Sequence, residues 1–359
     1  MRARRICLLT ALTFAAVCCT PAGGPAPVAP PPPAGWSGPG PVPPPRRMRL
    51  FFGGDVMQHL PQVEAARRGD GFDYTPVFAA LAPRMRAADL AVVNLETTLT
   101  ARDRYTGYPM FRSPVALADA LRAAGVDVAV LANNHCCDGG AEGIRTTIRE
   151  LDRCGIRHTG VFADSADYRR NHPLLLEHGG VRIALLNYTY GTNGLPVPAG
   201  TLVNRIDTVR MAADLAAARS AADFVVAFMH WGNEYERREH PQQRRLAAFL
   251  RRHGADVIVG SHPHVVQPWR ADSTQVVLYS LGNLVSNQRR RYTDGGLVAQ
   301  VEASRHSDGR MTYRLETAPV WVSLPGYRIL PPEAAAAPRD SAARALFCRD
   351  LRELTQSGL

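Results

Sequence analysis

Residues 255–268 read ADVIVGSHPHVVQP, an apolar run followed by two histidines one residue apart. A short continuous apolar run of this kind predicts a buried strand. Because Pro263 restricts the backbone between His262 and His264, both imidazoles leave the end of one rigid element and reach the same pocket. Two imidazoles in one pocket form a candidate metal site, although such a pair in a loop also occurs without a metal.

Four other apolar runs are followed by polar residues whose side chains can bind a metal. Their ends deliver two carboxylates, an amide and two imidazoles, from Asp55, Glu96, Asn134, His135 and His230. Ligands of an open α/β sheet bind outside the carboxyl ends of its strands, so these side chains should converge. Taken singly, each has an ordinary alternative, such as a turn aspartate, a helix cap or a core histidine. Together they favour Mn, Fe or Zn over Mg or Ca, because imidazole is a poor ligand for the last two.

The composition describes a folded chain with a basic surface. The 359 residues are 46% hydrophobic, enough for one large α/β domain or two modest ones. The formal charge of +10 comes mainly from arginine and suits anionic partners, although a merely soluble basic surface accounts for it equally well. We find no nucleic-acid motif, and the charges are scattered in pairs, so nucleic acid is not an expected partner.

Short apolar runs alternate with helical stripes, which predicts βα units and an α/β fold. Ser113-Pro114 supplies a cap and a first-turn proline, and the apolar stripe after it predicts a helix that starts there and ends at Gly125. From Gln275 onward no long helix separates the runs, so either a second sheet or an antiparallel extension of the first is expected. The predicted strands are Arg49–Gly53, Leu90–Asn94, Val126–Ala132, Val181–Tyr188, Phe224–His230, Asp256–Gly260, Gln275–Tyr279, Gly296–Ala303 and Met311–Val322.

The N-terminus is typical of an export signal. Arginines precede the apolar run Ile6–Val17, which is too short to span a bilayer, so residues 1–20 are interpreted as a signal peptide. Cys18 or Cys19 lies where a lipoprotein signal carries its lipidated cysteine, and plain cleavage near Ala22 is the alternative. We therefore expect an exported protein of the cell envelope, either secreted or held at the membrane by a lipid anchor.

Three further segments follow the signal. Residues 21–47 contain twelve of the 28 prolines and predict an extended linker. Residues 48–330 form the predicted domain, and residues 331–359 form a tail with a helix over Ser341–Thr355. The cysteines leave two alternatives open, a disulfide from Cys136 or Cys137 to Cys154 or buried free thiols.

Several motifs, in order along residues 49–285, resemble the CapA-type family of poly-γ-glutamate capsule synthesis proteins. That family is similar in turn to the calcineurin-like metallophosphoesterases. The resemblance implies a four-layer α/β/β/α sandwich with metals at one edge of the two sheets. The motifs are Gly54–Met57, Asn94–Glu96, Gly107–Pro114, Asn133–His135 with Asp138 and Gly140, His230–Tyr235, Gly260–Pro268 and Tyr279–Asn283.

The resemblance also implies roles for single residues and a cofactor of one or two divalent ions. His135 would be the general acid and Asp138 would orient it. The implied ligands are Asp55 and His264 for the first metal, Glu96 as the bridge, and Asn134, His230 and His262 for the second metal.

One position departs from the phosphoesterase pattern. Met57 stands where phosphoesterases carry a histidine two residues after the aspartate, and a thioether is a poor ligand for Mn or Mg. The first metal position therefore lacks a nitrogen donor. His59 is a candidate substitute.

Two functions follow as hypotheses. The first is a metal-dependent hydrolase of a phosphoester or an anionic polymer, with Arg112 and Asn283 as substrate-binding residues. The second is a surface-tethered, non-catalytic polymer-binding factor with a degenerate metal site. Under either hypothesis, membrane-embedded capsule synthesis or export proteins are expected partners.

Overall fold

The structure is a computed structural model, and it describes residues 44–356. The predicted signal peptide, Cys18, Cys19 and most of the predicted linker lie outside the described residues. Within residues 44–356, no helix combines the length and the apolarity that a membrane span requires.

The described strands include all nine of the predicted ones, with shifts at their ends. In chain order they are β1 (Arg46–Val56), β2 (Arg67–Arg68), β3 (Gly71–Phe72), β4 (Leu90–Leu95), β5 (Thr98–Thr100), β6 (Arg112–Pro114), β7 (Val128–Val130), β8 (Arg157–Thr159), β9 (Val161–Phe162), β10 (Leu174–His178), β11 (Val181–Thr189), β12 (Leu202–Val203), β13 (Phe224–His230), β14 (Val257–Ser261), β15 (Trp269–Ala271), β16 (Val276–Leu278), β17 (Asn283–Val285), β18 (Gly295–Arg305), β19 (Met311–Ser323) and β20 (Arg328–Leu330).

The helices lie mainly between the strands, as the alternating pattern predicts. Those described are α1 (Leu60–Ala66), α2 (Thr75–Phe78), α3 (Ala82–Arg86), α4 (Ala116–Ala124), α5 (Gly140–Arg153), α6 (Ser165–Asn171), α7 (Thr208–Ala221), α8 (Pro241–Arg252) and α9 (Pro338–Gln356). α4 ends at Gly125, whose φ of 101° places it in the left-handed region that glycine adopts easily. The predicted start of this helix at Ser113-Pro114 is wrong, because those residues pair with β5 as part of β6.

Two sheets contain most of the strands. The larger sheet has the order β20-β19-β18-β1-β4-β7-β8, with β17 paired to the end of β1. The smaller sheet has the order β10-β11-β13-β14-β16-β15. Of the two alternatives for the region after Gln275, the antiparallel extension of the first sheet applies to β18, β19 and β20. The second sheet begins earlier in the chain, at β10.

The two sheets pack face to face, and helices cover both outer faces. Phe52 of β1 and Phe228 of β13 belong to the core between the sheets, whereas Phe51 points to the helices on the other side of the larger sheet. Side chains alternate across a strand, so one apolar run serves two cores. Met211 of α7 and Leu250 of α8 cover the outer face of the smaller sheet. The expected four-layer α/β/β/α sandwich is therefore confirmed.

The C-terminal helix belongs to this packing. α9 begins three residues before the predicted helix and buries Phe347, Leu351 and Leu354 in the core between the sheets. At the other end of the described chain, β1 begins at Arg46, two residues before the predicted start of the domain.

Parallel pairing brings the predicted site residues to one edge of the sandwich. β1, β4 and β7 run parallel in the larger sheet, and β11, β13 and β14 run parallel in the smaller one. Their carboxyl ends meet at the same edge, where the backbone N–H of His262 donates to Oδ2 of Asp55 across the two sheets at 3.4 Å.

Candidate metal centre

Asp55 lies at the end of β1 in a place where only glycine can precede it. A Cβ added to Gly54 would lie 1.9 Å from the carbonyl oxygen of Gly282, so the two backbones touch there. The buried carboxylate of Asp55 accepts from Nδ2 of Asn94 at 2.8 Å through Oδ1. Its other oxygen accepts from Nδ1 of His264 at 3.1 Å.

Glu96 follows β4 and is fully buried. Its Oε2 accepts from Nδ2 of Asn94 at 3.3 Å, whereas its Oε1 has no hydrogen-bond partner. That free oxygen lies 3.6 Å from Nε2 of His230 and 4.0 Å from Nε2 of His264. Burial raises the pKa of Glu96 well above its usual value, and the nearby Asp55 raises it further. A buried carboxylate oxygen without a partner is costly unless a cation compensates it, so this environment fits a metal ion.

His230, the last residue of β13, is oriented from both sides. Its Nδ1 contacts Oγ of Ser261 at 2.9 Å, and its Nε2 lies 2.8 Å from Oδ1 of Asn134. Burial lowers the pKa of His230 well below 6.5, and the neighbouring His262 lowers it further. The imidazole is therefore neutral at physiological pH, which is the form that binds metals.

The two histidines of the opening stretch form a strained turn. His262 and His264 have φ values of +97° and +59°, which residues with a side chain rarely adopt. Nδ1 of His262 is buried and has no hydrogen-bond partner. Burial, with a smaller effect of His264, lowers the pKa of His262 to about 3. Nδ1 of His264 contacts two acceptors, Oδ2 of Asp55 and Oδ1 of Asn283, so it carries the proton and Nε2 is left free.

Among residues 44–356, three groups of side chains have ligand atoms within 4.8 Å of one another. The first group joins Asp55, Glu96 and His264, and the second joins Glu96, His230 and His262. Glu96 belongs to both, which matches the bridging position that the resemblance implies. A third group joins Glu234 with His262 and His264. Carboxylate and imidazole donors together suit Mn, Fe or Zn better than Mg.

The predicted acid and its orienting carboxylate lie beside these groups. Nδ1 of His135 donates to Oδ2 of Asp138 at 2.7 Å, and the backbone N–H of Phe111 donates to the same oxygen at 2.6 Å. The other nitrogen of His135 lies 3.5 Å from Nδ2 of Asn193. Asn193 in turn accepts from Asn134, so a chain of polar contacts joins the acid to the second group.

The two predicted substrate-binding residues lie behind the ligands. Asn283 accepts from His264 and donates to the carbonyl oxygen of Thr293 at 2.8 Å, so the structure places it as a support of that histidine. Arg112 donates to the carbonyl oxygen of Asp138 at 3.4 Å, and its buried Nε has no partner. It lines a cleft of about 150 Å³ together with Arg102 and Arg104. Substrate binding by either residue stays a prediction.

His59 does not join any of the three groups among the described residues. Its Nδ1 lies 3.3 Å from the backbone N–H of Asn287, and it lies at the start of α1. The pKa of His59 is lowered to about 4, and burial is the largest cause. Met57, the residue after β1, is buried and its side chain has no nitrogen, so the first group gains no nitrogen donor there.

The predicted site omitted three residues that the structure places at its centre. Asn94 donates to both Asp55 and Glu96, Tyr190 stacks 6.2 Å from His230, and Glu234 belongs to the third group. Asn94 and Glu234 occur in the motifs, but the sequence does not show where their side chains point in the folded chain. The cysteines within the described residues, Cys136, Cys137, Cys154 and Cys348, are free thiols.

The comparisons with known proteins show the family of the chain. Residues 49–288 match a family model described as bacterial capsule synthesis protein PGA_cap. The chain is 31% identical over 265 residues to the capsule biosynthesis protein CapA of Bacillus anthracis, and 29% identical over 264 residues to the PGA biosynthesis protein CapA of Bacillus subtilis strain 168. These alignments cover 70% and 72% of this chain and 63% and 68% of those proteins, so the chain spans less than two thirds of the Bacillus anthracis relative.

A solved structure of a protein described as a novel phosphatase of Mycoplasma pneumoniae superposes on this chain with a TM-score of 0.48 and 13% sequence identity. The superposition covers 77% of this chain and 94% of the phosphatase chain. The family match, by contrast, extends over most of the described domain and includes the strands whose ends carry the ligand groups. The resemblance seen in the motifs is therefore confirmed. The chain belongs to the bacterial capsule synthesis protein PGA_cap family.

Proposed function

We propose that the chain is an exported, metal-dependent hydrolase of capsule biogenesis, acting on a phosphoester or on a bond of an anionic polymer. One observation carries the proposal. The unpartnered Oε1 of buried Glu96 faces His230 and His264, and polar contacts through Asn134 and Asn193 join His230 to the His135–Asp138 pair. A purely structural metal site has no use for an oriented acid.

The ligand groups define what a cation would contact. Asp55, Glu96 and His264 would hold one ion, and Glu96, His230 and His262, with the amide of Asn134, would hold another. A divalent cation bound there supplies a Lewis acid that polarises a phosphoryl or carbonyl oxygen.

The chain's own residues supply the proton transfer. Asp138 accepts from Nδ1 of His135 and so fixes the orientation of the ring. The nitrogen left for exchange with a leaving group is Nε2, which lies at Asn193 on the site side. In this role His135 is the general acid and Asp138 positions it.

Charge near the site suits an anionic substrate. The guanidinium of Arg290 lies 4.6 Å from the ring of Tyr235, and that ring is 6.2 Å from the imidazole of His264. The net charge of +10 has the same sign. The names of the Bacillus relatives, capsule biosynthesis protein and PGA biosynthesis protein, support a capsule polymer as the context.

The N-terminal pattern supports the location. An arginine-flanked apolar run followed by Cys18 and Cys19 favours export to the cell envelope, with a lipid anchor as one form. At that location, membrane-embedded capsule synthesis or export proteins would be its partners.

Met57 favours a second candidate function. Without a histidine at this position the first group has fewer donors, and a weakened site suits a non-catalytic, surface-tethered factor that binds or exports the polymer.

Metal analysis joined to a hydrolysis assay separates the two functions. The purified full chain, supplemented with Mn²⁺, is assayed on a phosphodiester and on polyglutamate, alongside His135→Ala and Asp138→Asn. The hydrolase predicts bound metal in all three and a loss of turnover of roughly 10²-fold or more in His135→Ala. His253→Ala, a change of an exposed histidine on the end of α8, is the matched control and should behave as the unmodified chain. Bound metal with turnover no higher than background in the unmodified chain would leave the non-catalytic factor, and equal turnover above background in His135→Ala would contradict the role of His135.

A further inference from the structure

The loop after β13 brings one more carboxylate to the two histidines of residues 262–264. Ligand atoms of Glu234, His262 and His264 all lie within 4.8 Å of one another. Asp55 and Glu96 are buried, whereas Glu234 is exposed. This carboxylate therefore approaches the site from the solvent side.

Hydrogen bonds hold the loop after β13 against the turn that contains His262 and His264. The N–H of Tyr235 donates to the carbonyl oxygen of Pro263 at 2.8 Å, which joins the residue after Glu234 to the residue between the histidines. Nε2 of Gln267 donates to the carbonyl oxygen of Glu236 at 2.9 Å. Tyr235 has a φ of +67°, a conformation that needs such support. The carboxylate is thus positioned by the same turn that positions the two imidazoles.

Each histidine of this group keeps one nitrogen that makes no hydrogen bond. Nδ1 of His262 has no hydrogen-bond partner, and the residue is only 4% exposed. His264 uses Nδ1 to donate to Asp55 and Asn283, so Nε2 is its one free nitrogen. An ion held by His264 must bind at that atom. The group with Asp55 and Glu96 and the group with Glu234 therefore share this nitrogen of His264.

The donor count supports the same assignment. The first group contains two carboxylates and one imidazole, and Met57 adds no nitrogen to it. With Glu234 the first position would have three carboxylates and the imidazole of His264, a mixed oxygen and nitrogen set that suits Mn²⁺ or Fe²⁺. Glu234 adds an oxygen donor from outside the two motifs that supply Asp55 and Glu96.

We propose that Glu234 is a ligand of the first metal position, taking the place of the donor that is missing at Met57. The inference rests on the proposed function, because it uses the same metal site. It assigns the solvent side of that position to the loop after β13.

Metal titration of the full chain tests the assignment. The chain is stripped with a chelator and titrated with Mn²⁺ and with Zn²⁺ by calorimetry, as the unmodified protein, Glu234→Gln and Glu236→Gln. Glu236 is the matched control, because it is exposed on the same loop, accepts from Asn233 and belongs to none of the metal groups among the described residues. Glu234→Gln should weaken one class of binding by about 10- to 100-fold and leave the other unchanged.

Spectroscopy of the Co²⁺-loaded protein gives a second readout that does not depend on activity. The visible absorption bands of Co²⁺ should change in Glu234→Gln and not in Glu236→Gln. Each variant replaces an exposed glutamate, so in the presence of chelator both should unfold at the same temperature as the unmodified chain. Titrations and spectra identical to the unmodified chain would overturn the assignment of Glu234 and leave the hydrolase proposal intact. A chain that binds no metal at all would overturn both.

Discussion

Oε1 of Glu96 lies 4.0 Å from Nε2 of His264, although the two residues follow strands of different sheets. Glu96 follows β4 in the larger sheet, and His264 lies just after β14 in the smaller one. An ion bound between these two side chains would link the two sheets at the edge where their parallel strands end. Metal binding and the stability of the sandwich should therefore be linked.

Glu96→Gln should remove this link. In the unmodified chain, metal at about 100 times its dissociation constant adds about 2.7 kcal/mol to the free energy of unfolding. The variant should lose most of the metal-induced rise in melting temperature, because an amide is a poor replacement for a bridging carboxylate. Thermal unfolding with and without Zn²⁺ measures it. Glu142→Gln, an exposed change on α5, is the control, and an equal rise in Glu96→Gln would contradict the assignment.

Gly54→Ala should destabilise the crossing of β1 and β17. The added Cβ would lie 1.9 Å from the carbonyl oxygen of Gly282, and a backbone atom has little room to move. Overpacking of this kind costs about 1–3 kcal/mol or more. Denaturant unfolding measures the loss. Gly71→Ala is the control, because the nearest atom to its Cβ is 3.8 Å away, and equal stability of the two variants would disprove the close approach.

His158 should make the stability of the chain depend on pH. Burial lowers the pKa of His158, but hydrogen bonds to Asp152 and Asp167 outweigh that effect and raise it above 6.5. The folded state therefore binds this proton more tightly than the unfolded state does. The stabilisation is present below about pH 6.5, the ordinary histidine value, and is lost as the pH rises through the folded-state pKa.

His158→Gln should accordingly lower the melting temperature most at about pH 5.5, with a smaller difference at about pH 8.5. Thermal unfolding across this range gives the profile, and His253→Gln at an exposed position supplies the reference. A difference that grows with pH would show that the sign is wrong.

The C-terminal helix should contribute directly to the central core. Phe347 is 6% exposed, and its ring lies 5.9 Å from that of Trp321, whereas the neighbouring Leu346 is 37% exposed. Phe347→Ala should cost about 3–5 kcal/mol, because it leaves a cavity between α9 and β19. Leu346→Ala should change stability by about 0.5 kcal/mol or less. Equal effects in denaturant unfolding would mean that α9 does not pack as described.

The elements could largely be predicted because their signals are local. The predicted strand Phe224–His230 matches β13 at both ends, since a buried parallel strand is a continuous apolar run with a polar residue where it leaves the sheet. The predicted helix start at Ser113-Pro114 was wrong because strand pairing, which is not a local signal, decides the structure there. Those residues carry the local pattern of a cap, but pairing with β5 outweighs it.

The candidate site divides in the same way. Asp55, Glu96, His230 and His262 could be proposed from the chain because each ends an apolar run, and parallel strands end at a common edge. The central position of Asn94, between two carboxylates from different strands, could not be proposed, since it depends on the register of β1 against β4. Glu234 depends in addition on how its loop packs against Pro263.

By itself, the sequence determined the family, the α/β alternation and the residue types of the metal centre, because apolar periodicity and short motifs are properties of neighbouring residues. Tertiary structure alone decided which strands share a sheet, which oxygen of Glu96 is left without a partner and which nitrogen of His264 is free. Those features arise from contacts between residues more than a hundred positions apart, such as Asp55 with His264. Only the packing of the two sheets brings such residues together.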